Sequence, residues 1–210
     1  MQKILPEKPE KPGLNLRGVT IYQDLLDRAA QEALLEDVRA MVRAAPLYSP
    51  VTPSGRKMSV RMSAAGQYGW ISDRRGYRYS SHHPSGAPWP DIPQRILGLW
   101  ERVTGYPRTP ECCLVNFYTV DARMGLHQDR DEADLNAPVL SLSLGDDALF
   151  RVGNTTRGGK TESLWLRSGD VAVLGGSARL AYHGVDRIRA GSSDLLRDGG
   201  RINLTLRVVT

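Results

Sequence analysis

CCLVNFYTV (112–120), PVLSLSLG (138–145), ALFRVG (148–153), TESLWLRSGDVAVLGG (161–176), ARLAYHGV (178–185) and INLTLRVV (202–209) follow one another through the second half of the chain. Each is rich in β-branched, aromatic or leucine residues, and Gly-Asp or Gly-Gly pairs punctuate them. Short strand-like runs at this spacing predict a β-sandwich or jelly roll rather than a parallel sheet with crossover helices. Upstream the period changes. Between Tyr22 and Ala44, apolar residues recur at Leu25, Leu26, Ala29, Leu34, Leu35, Val38, Met41 and Val42, the three-to-four spacing of an amphipathic helix. A second helix is expected after Asp91-Ile92-Pro93, with Ile96, Leu97, Leu99, Trp100 and Val103 on one side and Gly105 just past its end. Residues 1 to 20 are rich in proline and charge and read as an extended arm with little regular structure. The chain divides into an arm and supporting helix (1–45), a middle segment with the second helix (46–110) and a β core (111–210), all in one compact domain.

At 210 residues, with 40% hydrophobic and 24% charged residues, the composition is that of a soluble globular protein. No stretch approaches the roughly 20 apolar residues needed to span a bilayer. The N-terminus lacks the apolar core of a secretory signal, which points to the cytoplasm. Cys112 and Cys113 are adjacent, so they read as buried small hydrophobes rather than a disulfide framework. A net charge of +5 suits a polyanionic partner such as nucleic acid.

Within the β-rich half, His127-Gln128-Asp129 sets an imidazole and a carboxylate two positions apart, which in an extended strand share a face. His183 follows at the end of an apolar run, where a neighbouring strand could bring it to the same spot. Two histidines and a carboxylate make the facial triad that leaves positions open on iron(II), although zinc accepts the same donors. The last strand has a period of two. Ile202, Leu204, Leu206 and Val208 form one face, and Arg201, Asn203, Thr205 and Arg207 form the other. Two guanidiniums on one strand face suit a dicarboxylate such as 2-oxoglutarate, which arginine grips through paired charge-assisted bonds. Asn116 and Tyr118, also two apart, would add an amide and a phenol to an earlier strand.

The combination Asn116-x-Tyr118, His127-x-Asp129, His183 and Arg201-x-Asn203-x-Thr205-x-Arg207 resembles the AlkB family of iron(II)- and 2-oxoglutarate-dependent dioxygenases. The likeness is closest from Cys113 to Arg207 and extends more loosely back through Thr52 to Pro90. It implies a mainly β fold with flanking helices: a double-stranded β-helix (jelly roll) core, an N-terminal helical support and a nucleotide-recognition lid. It implies that His127, Asp129 and His183 hold Fe(II), and that Arg201 grips the distal carboxylate of 2-oxoglutarate with Tyr118 and Asn203. Arg207 and Asn116 would lie near the end that chelates the metal. It also implies oxidative removal of N-methyl groups from bases such as 1-methyladenine and 3-methylcytosine, consuming O2 and releasing formaldehyde, succinate and CO2.

The middle segment bears on the substrate. Between Arg56 and Tyr79, the basic residues Arg56, Lys57, Arg61, Arg74, Arg75 and Arg78 interleave with Tyr68, Trp70, Tyr77 and Tyr79. Basic side chains can follow a phosphate backbone while rings stack on unpaired bases. A charged hairpin with half-buried aromatics gives the same pattern. By the resemblance, Trp70 and Tyr77 contact the damaged nucleotide, Trp70 and His127 sandwich the base, and Asp131 touches it. Met62 and Ser141 shape the pocket, and Thr52 and Arg157 reach phosphate. Arg56 stands where related sequences can carry an aromatic. His82 and His83, in a turn-like stretch, are not expected to bind metal. The expected partner is alkylated single- or double-stranded DNA, or RNA, with no membrane, no obligate protein partner and a monomeric chain. Two other readings share these residues: a 2-oxoglutarate dioxygenase acting on a small molecule or protein side chain, and a catalytically inactive nucleic-acid-binding module.

Overall fold

The period-two runs become strands, as a computed structural model that describes residue 9 and residues 13–210 shows. In chain order the elements are β1 (Leu14–Leu16), β2 (Val19–Tyr22), α1 (Arg28–Ala44), β3 (Arg61–Gly66), β4 (Gly69–Asp73), β5 (Gly76–Ser80) and α2 (Gln94–Thr104). There follow β6 (Cys112–Tyr118), β7 (Met124–His127), β8 (Val139–Gly145), β9 (Asp147–Val152), β10 (Glu162–Leu166), β11 (Val171–Leu174), β12 (His183–Arg189) and β13 (Arg201–Arg207). A seven-stranded sheet runs β1-β2-β11-β8-β13-β6-β3, and a four-stranded sheet runs β10-β9-β12-β7. From β8 to β13 the chain passes back and forth between the two sheets, which makes the core a double-stranded β-helix. Strands β4 and β5 form a separate two-stranded hairpin.

Alternation along β13 decides what each face of the larger sheet does. Ile202, Leu204 and Leu206 turn outward into a core that also holds Leu34, Leu35 and Val38 of α1 and Ile96, Leu99 and Trp100 of α2. Leu204 and Leu206 are fully buried, each worth roughly 1.5–3 kcal/mol relative to exposure. The helices therefore cover the back of the sheet, and the polar face of β13 looks inward between the sheets. At one end that space is filled by Val19, Ile21, Phe150, Val152, Leu166 and Leu174. The other end stays open and holds the site.

Helix α1 begins later than its apolar pattern predicts. Asp27 caps it by accepting a hydrogen bond from the amide of Ala30 at 2.8 Å, so Tyr22 falls in β2 and Leu25 and Leu26 lie in the connection. Ala30, rather than the exposed Ala29, joins the buried face. Helix α2 matches its expected limits: Pro93 precedes it and Gly105, at φ 59°, ends it in the left-handed region. The extended arm is corrected over residues 14–22, where β1 and β2 extend the larger sheet and β2 pairs with β11. The rest of that expectation falls on residues 1–8 and 10–12, outside the described residues. Cys112 and Cys113 are free and buried in β6. No helix among the described residues is long and apolar enough to cross a membrane.

Candidate active site

The open end encloses a cavity of about 610 Å3 whose wall includes Trp70, Tyr77, His127, Asp129 and His183 as well as the polar face of β13. Strand β7 ends at His127 and β12 begins at His183, and register pairs the two residues directly. Their rings stand 4.6 Å apart. Gly184 makes this approach feasible, because a Cβ there would meet the carbonyl oxygen of Met124 at 2.5 Å. Asp129 lies just beyond β7, with Oδ1 3.8 Å from His127 Nε2 and Oδ2 3.7 Å from His183 Nε2. One ligand atom from each residue falls within 4.8 Å of the others.

Hydrogen bonds set the protonation of this trio. His127 Nδ1 meets the carbonyl of Gly125 at 2.9 Å, and His183 Nδ1 meets that of Ala181 at 3.0 Å. A carbonyl can only accept, so each Nδ1 carries the proton and each Nε2 presents its lone pair to the cavity. Burial, with help from His127, pulls the His183 imidazole down to about 4, which keeps it neutral and ready to ligate. Burial alone would raise the Asp129 carboxyl, but the Arg207 guanidinium, 2.7 Å away, and the histidines hold it well below the usual range. Asp129 Oδ2 is buried without a hydrogen-bond partner among the described residues. An orphaned carboxylate oxygen between two Nε2 lone pairs fits a divalent cation.

Beside the trio, β13 presents Arg201, Asn203, Thr205 and Arg207 to the cavity. Arg201 is 1% exposed; it donates through Nη2 to Ser143 Oγ at 2.6 Å and through Nη1 to the carbonyls of Asp146 and Leu166. Burial pulls its guanidinium down to about 10 and pushes the neighbouring Tyr118 phenol up to about 12. Register sets Arg201 against Tyr118 and Asn203 against Asn116. The buried Arg201 Nε and Asn116 Oδ1 lack hydrogen-bond partners among the described residues, while Arg207 Nε faces Glu132 Oε1 at 3.5 Å. An unmet donor on the buried Arg201 guanidinium fits a carboxylate-bearing co-substrate. Gly199 and Gly200 deliver Arg201 to this position. Both are in the left-handed region, and Gly200 donates its amide to Asp146 Oδ2 at 2.9 Å.

The remaining wall comes from the hairpin. Trp70 stacks on Tyr77 with centroids 5.4 Å apart and planes 15° apart, and its Nε1 donates to Asp131 Oδ2 at 3.0 Å. Met62 of β3 sits opposite Asn116 on the cavity side, and Ser141 accepts a hydrogen bond from Asn203 Nδ2 at 2.7 Å.

A sequence profile of the 2OG-Fe(II) oxygenase superfamily matches residues 18–207. The chain is 56% identical over 199 residues to the alpha-ketoglutarate-dependent dioxygenase AlkB homolog of Caulobacter vibrioides, covering 94% of this chain and 90% of that one. It is 43% identical over 183 residues to the alpha-ketoglutarate-dependent dioxygenase AlkB of Escherichia coli, covering 85% and 84%. The chain belongs to the AlkB family. It is an Fe(II)- and 2-oxoglutarate-dependent dioxygenase, with O2 as second co-substrate. A solved structure, OsALKBH1, agrees with a TM-score of 0.76 at 31% identity over 92% of this chain and 100% of that one. A 2OG-Fe(II) family oxidoreductase from Burkholderia pseudomallei, with a TM-score of 0.52 at 17% identity, shares the fold.

Within this AlkB-family chain, some expected residues stand away from the cavity wall. Thr52 lies in a tight turn, its Oγ1 bonded to Ser54 and to the backbone of Arg56, and Arg157 is exposed in the loop after β9. Of the basic residues, Arg56, Lys57, Arg74 and Arg75 are exposed, but Arg78 is paired with Asp73 at 2.7 Å and Arg61 lies over the Phe117 ring at 4.8 Å. Tyr68 and Tyr79 pack inward against Cys112, Leu114 and Val209. His83 is a structural histidine, bonded to Ser85 and to the carbonyl of Pro46. Sequence reasoning missed Glu132 and Arg179, both buried and ion-paired at 3.0 Å beside Asp129. Within the charged stretch Arg130-Asp131-Glu132-Ala133-Asp134, nothing marks Glu132 as the acid that turns inward.

Proposed function

We propose that the chain oxidatively demethylates N-alkylated bases in nucleic acid, with 1-methyladenine and 3-methylcytosine in DNA as the type substrates and RNA as the alternative. The observation that carries this is the Trp70–Tyr77 stack, held by Asp131 in the same cavity as the His127, Asp129 and His183 donors. The names of relatives support it: DNA N(6)-methyladenine demethylases of Arabidopsis thaliana and a tRNA demethylase of Schizosaccharomyces pombe are among the proteins this chain is similar to.

Iron(II) held by His127, Asp129 and His183 would supply oxygen activation coupled to decarboxylation of 2-oxoglutarate. Arg201, with Tyr118 and Asn203, binds the distal carboxylate. Arg207 and Asn116 orient the chelating end, and Arg207 keeps Asp129 ionised. A base methylated on a ring nitrogen is cationic and pairs poorly, so removing it from a duplex costs less than removing a normal base. The Trp70 face attracts the cation through its π electrons, and the Asp131 carboxylate adds opposite charge at the pocket mouth. His127 forms the other wall of the slot, so the methyl group is carried next to the metal. Met62 and Ser141 shape the floor, and Thr52 and Arg157 take phosphates of the same strand. The cavity wall comes from one chain, which supports an enzyme acting as a monomer, and the likeness to bacterial AlkB proteins supports a cytoplasmic one.

Mass spectrometry of methylated DNA and RNA oligomers incubated with the iron-loaded enzyme and 2-oxoglutarate tests the reading. Loss of about 14 mass units per lesion, the CH2 by which a methyl group exceeds a hydrogen, with one formaldehyde per succinate is the expected result. Steady succinate production that no methylated oligomer stimulates would instead support a small-molecule or protein substrate.

A further inference from the structure

Glu132 has no part in the chemistry above, yet its side chain is 1% exposed and lies beside the cavity. A carboxylate taken out of water is costly unless its partners are in place, so those partners define what it is for. Its Oε2 accepts from Arg179 Nη2 at 3.0 Å; its Oε1 accepts from the Tyr79 hydroxyl and lies 3.5 Å from Arg207 Nε. Arg179 gives its other donors to the backbone carbonyls of Asp129, at 2.5 Å, and Ala137, at 2.6 Å. Arg207 bonds the Asp129 carboxylate at 2.7 Å. Tyr79 sits in β5 directly opposite Trp70 and two residues beyond Tyr77. One carboxylate is thus shared by the hairpin, the segment that carries a metal-ligating aspartate, and the co-substrate strand.

The hairpin needs such a fastening. Two strands alone are marginally stable, and β4 and β5 pair only with each other. Besides the Tyr79–Glu132 bond, side-chain hydrogen bonds hold it to the body of the protein from Trp70 Nε1 to Asp131, from the Tyr48 hydroxyl to the carbonyl of Trp70 at 3.2 Å, from Ser72 Oγ to the carbonyl of Val51 at 2.7 Å, from Trp89 Nε1 to the carbonyl of Ser80 at 2.8 Å and from Arg207 Nη1 to the Tyr79 hydroxyl at 3.4 Å. Of these partners, Glu132 is the one that also bonds the arginine holding the Asp129 backbone. We propose that Glu132 is a positioning residue that locks the hairpin to the metal-binding segment, so that the aromatic wall and the metal donors keep a fixed separation. This rests on reading Trp70 and Tyr77 as the wall that holds the base. A loosened hairpin still lets 2-oxoglutarate be consumed but presents the methyl group less often, so succinate outruns formaldehyde.

Tyr79→Phe tests the link, because it leaves the ring packed and removes only the hydroxyl, which donates to Glu132 and accepts from Arg207 Nη1 at the longer distance of 3.4 Å. In the iron-loaded enzyme under anaerobic conditions, hydrogen exchange of residues 69–80 should speed up about tenfold, the loss of one hydrogen bond to a charged group, while β6, β8 and β13 exchange at wild-type rates. Under turnover with a methylated oligomer, succinate formed per formaldehyde should at least double, and KM for the oligomer should rise more than KM for 2-oxoglutarate. In a Glu132→Ala background, Tyr79→Phe should add less than it does to the wild type, since the shared bond is already gone and only the 3.4 Å contact from Arg207 Nη1 is left to lose. Wild-type hairpin exchange in Tyr79→Phe overturns the proposal, and so does faster exchange with an unchanged product ratio. A wild-type enzyme that releases no formaldehyde would instead sink the demethylation reading, and hairpin exchange would still decide this one.

Discussion

Strand β13 and the β4–β5 hairpin contribute to the wall of the same cavity but are held in place by different means. β13 is paired on both sides, with β6 and with β8, and all but one of its residues are buried. A slip of one residue would send Arg201 and Arg207 to the helix side and leucines into the cavity, so its register is fixed by the core itself. The hairpin has no neighbour strand, Tyr77 is 52% exposed, and its place depends on a few side-chain bonds. Metal and co-substrate groups thus sit on, or are tied to, strands that cannot move without unfolding. The aromatic wall sits on an element that can open at a small fraction of that free energy.

That contrast is broken most severely from the rigid side. A structural metal site of four ligands is worth about 10–16 kcal/mol, so one ligand carries roughly 3–4, a factor of several hundred. Asp129→Asn, which keeps the volume but not the charge, should therefore lower iron-dependent 2-oxoglutarate turnover by at least about 100-fold, with or without nucleic acid. Turnover within tenfold of wild type would show that the metal is held elsewhere. Arg201→Lys comes next. It exchanges a fork for a point charge in a site 1% exposed, losing one charge-assisted bond, so KM for 2-oxoglutarate should rise about 10- to 100-fold. KM for the oligomer should hold, and equal shifts in both would mean that the guanidinium serves the fold rather than the co-substrate.

The same contrast explains how much could be read from the chain. β13 was legible because a strand with a helix-covered back and a cavity-lining front must alternate, and Ile202, Leu204 and Leu206 against Arg201, Asn203 and Arg207 display that alternation openly. His127-x-Asp129 and His183 were legible as donor types, although only register brought the two imidazoles together. β1 and β2 were not. They gain their order through β2, which pairs with β11, a partner far along the chain, and carries β1 on its other side, while the proline and charge just before them give the local signal of an arm. Glu132 was hidden for a related reason: a run of charges reads as a solvated loop until Arg179 and Arg207, from two distant segments, close over it. Local pattern reports faces of long elements, and it is silent on acids buried by long-range contacts.

Trp70→Ala moves to the hairpin side, where effects should be smaller and confined to nucleic acid. Stacking on one aromatic is worth about 1–3 kcal/mol, so KM for the methylated oligomer should rise at least about fivefold. KM for 2-oxoglutarate should stay within a factor of two of wild type, roughly the precision of such a comparison. Titrating each co-substrate at saturation of the other checks this, and an equal loss in both would mean that the hairpin is as integral to the core as β13.

The smallest effect belongs to Asp73 and Arg78, whose ion pair lies within the hairpin with side chains 46% and 37% exposed. Hydrogen bonds from Arg78 hold the Asp73 carboxyl down to about 2, but solvent screens an exposed pair of this kind, so Asp73→Asn should leave the melting temperature at the wild-type value. The buried pair of Asp129 and Arg207 has no such freedom. What Asp73→Asn should change is the partner of Arg78. With the carboxylate gone, the guanidinium becomes available to a phosphate, and each added phosphate contact steepens the dependence of log affinity on log salt by about 0.7 to 0.9. Fluorescence anisotropy of a labelled methylated oligomer across a salt series reads that slope. A steeper slope at unchanged stability would place Arg78 on the nucleic-acid path beside Arg74 and Arg75, and an unchanged slope would confine the phosphate track to other residues.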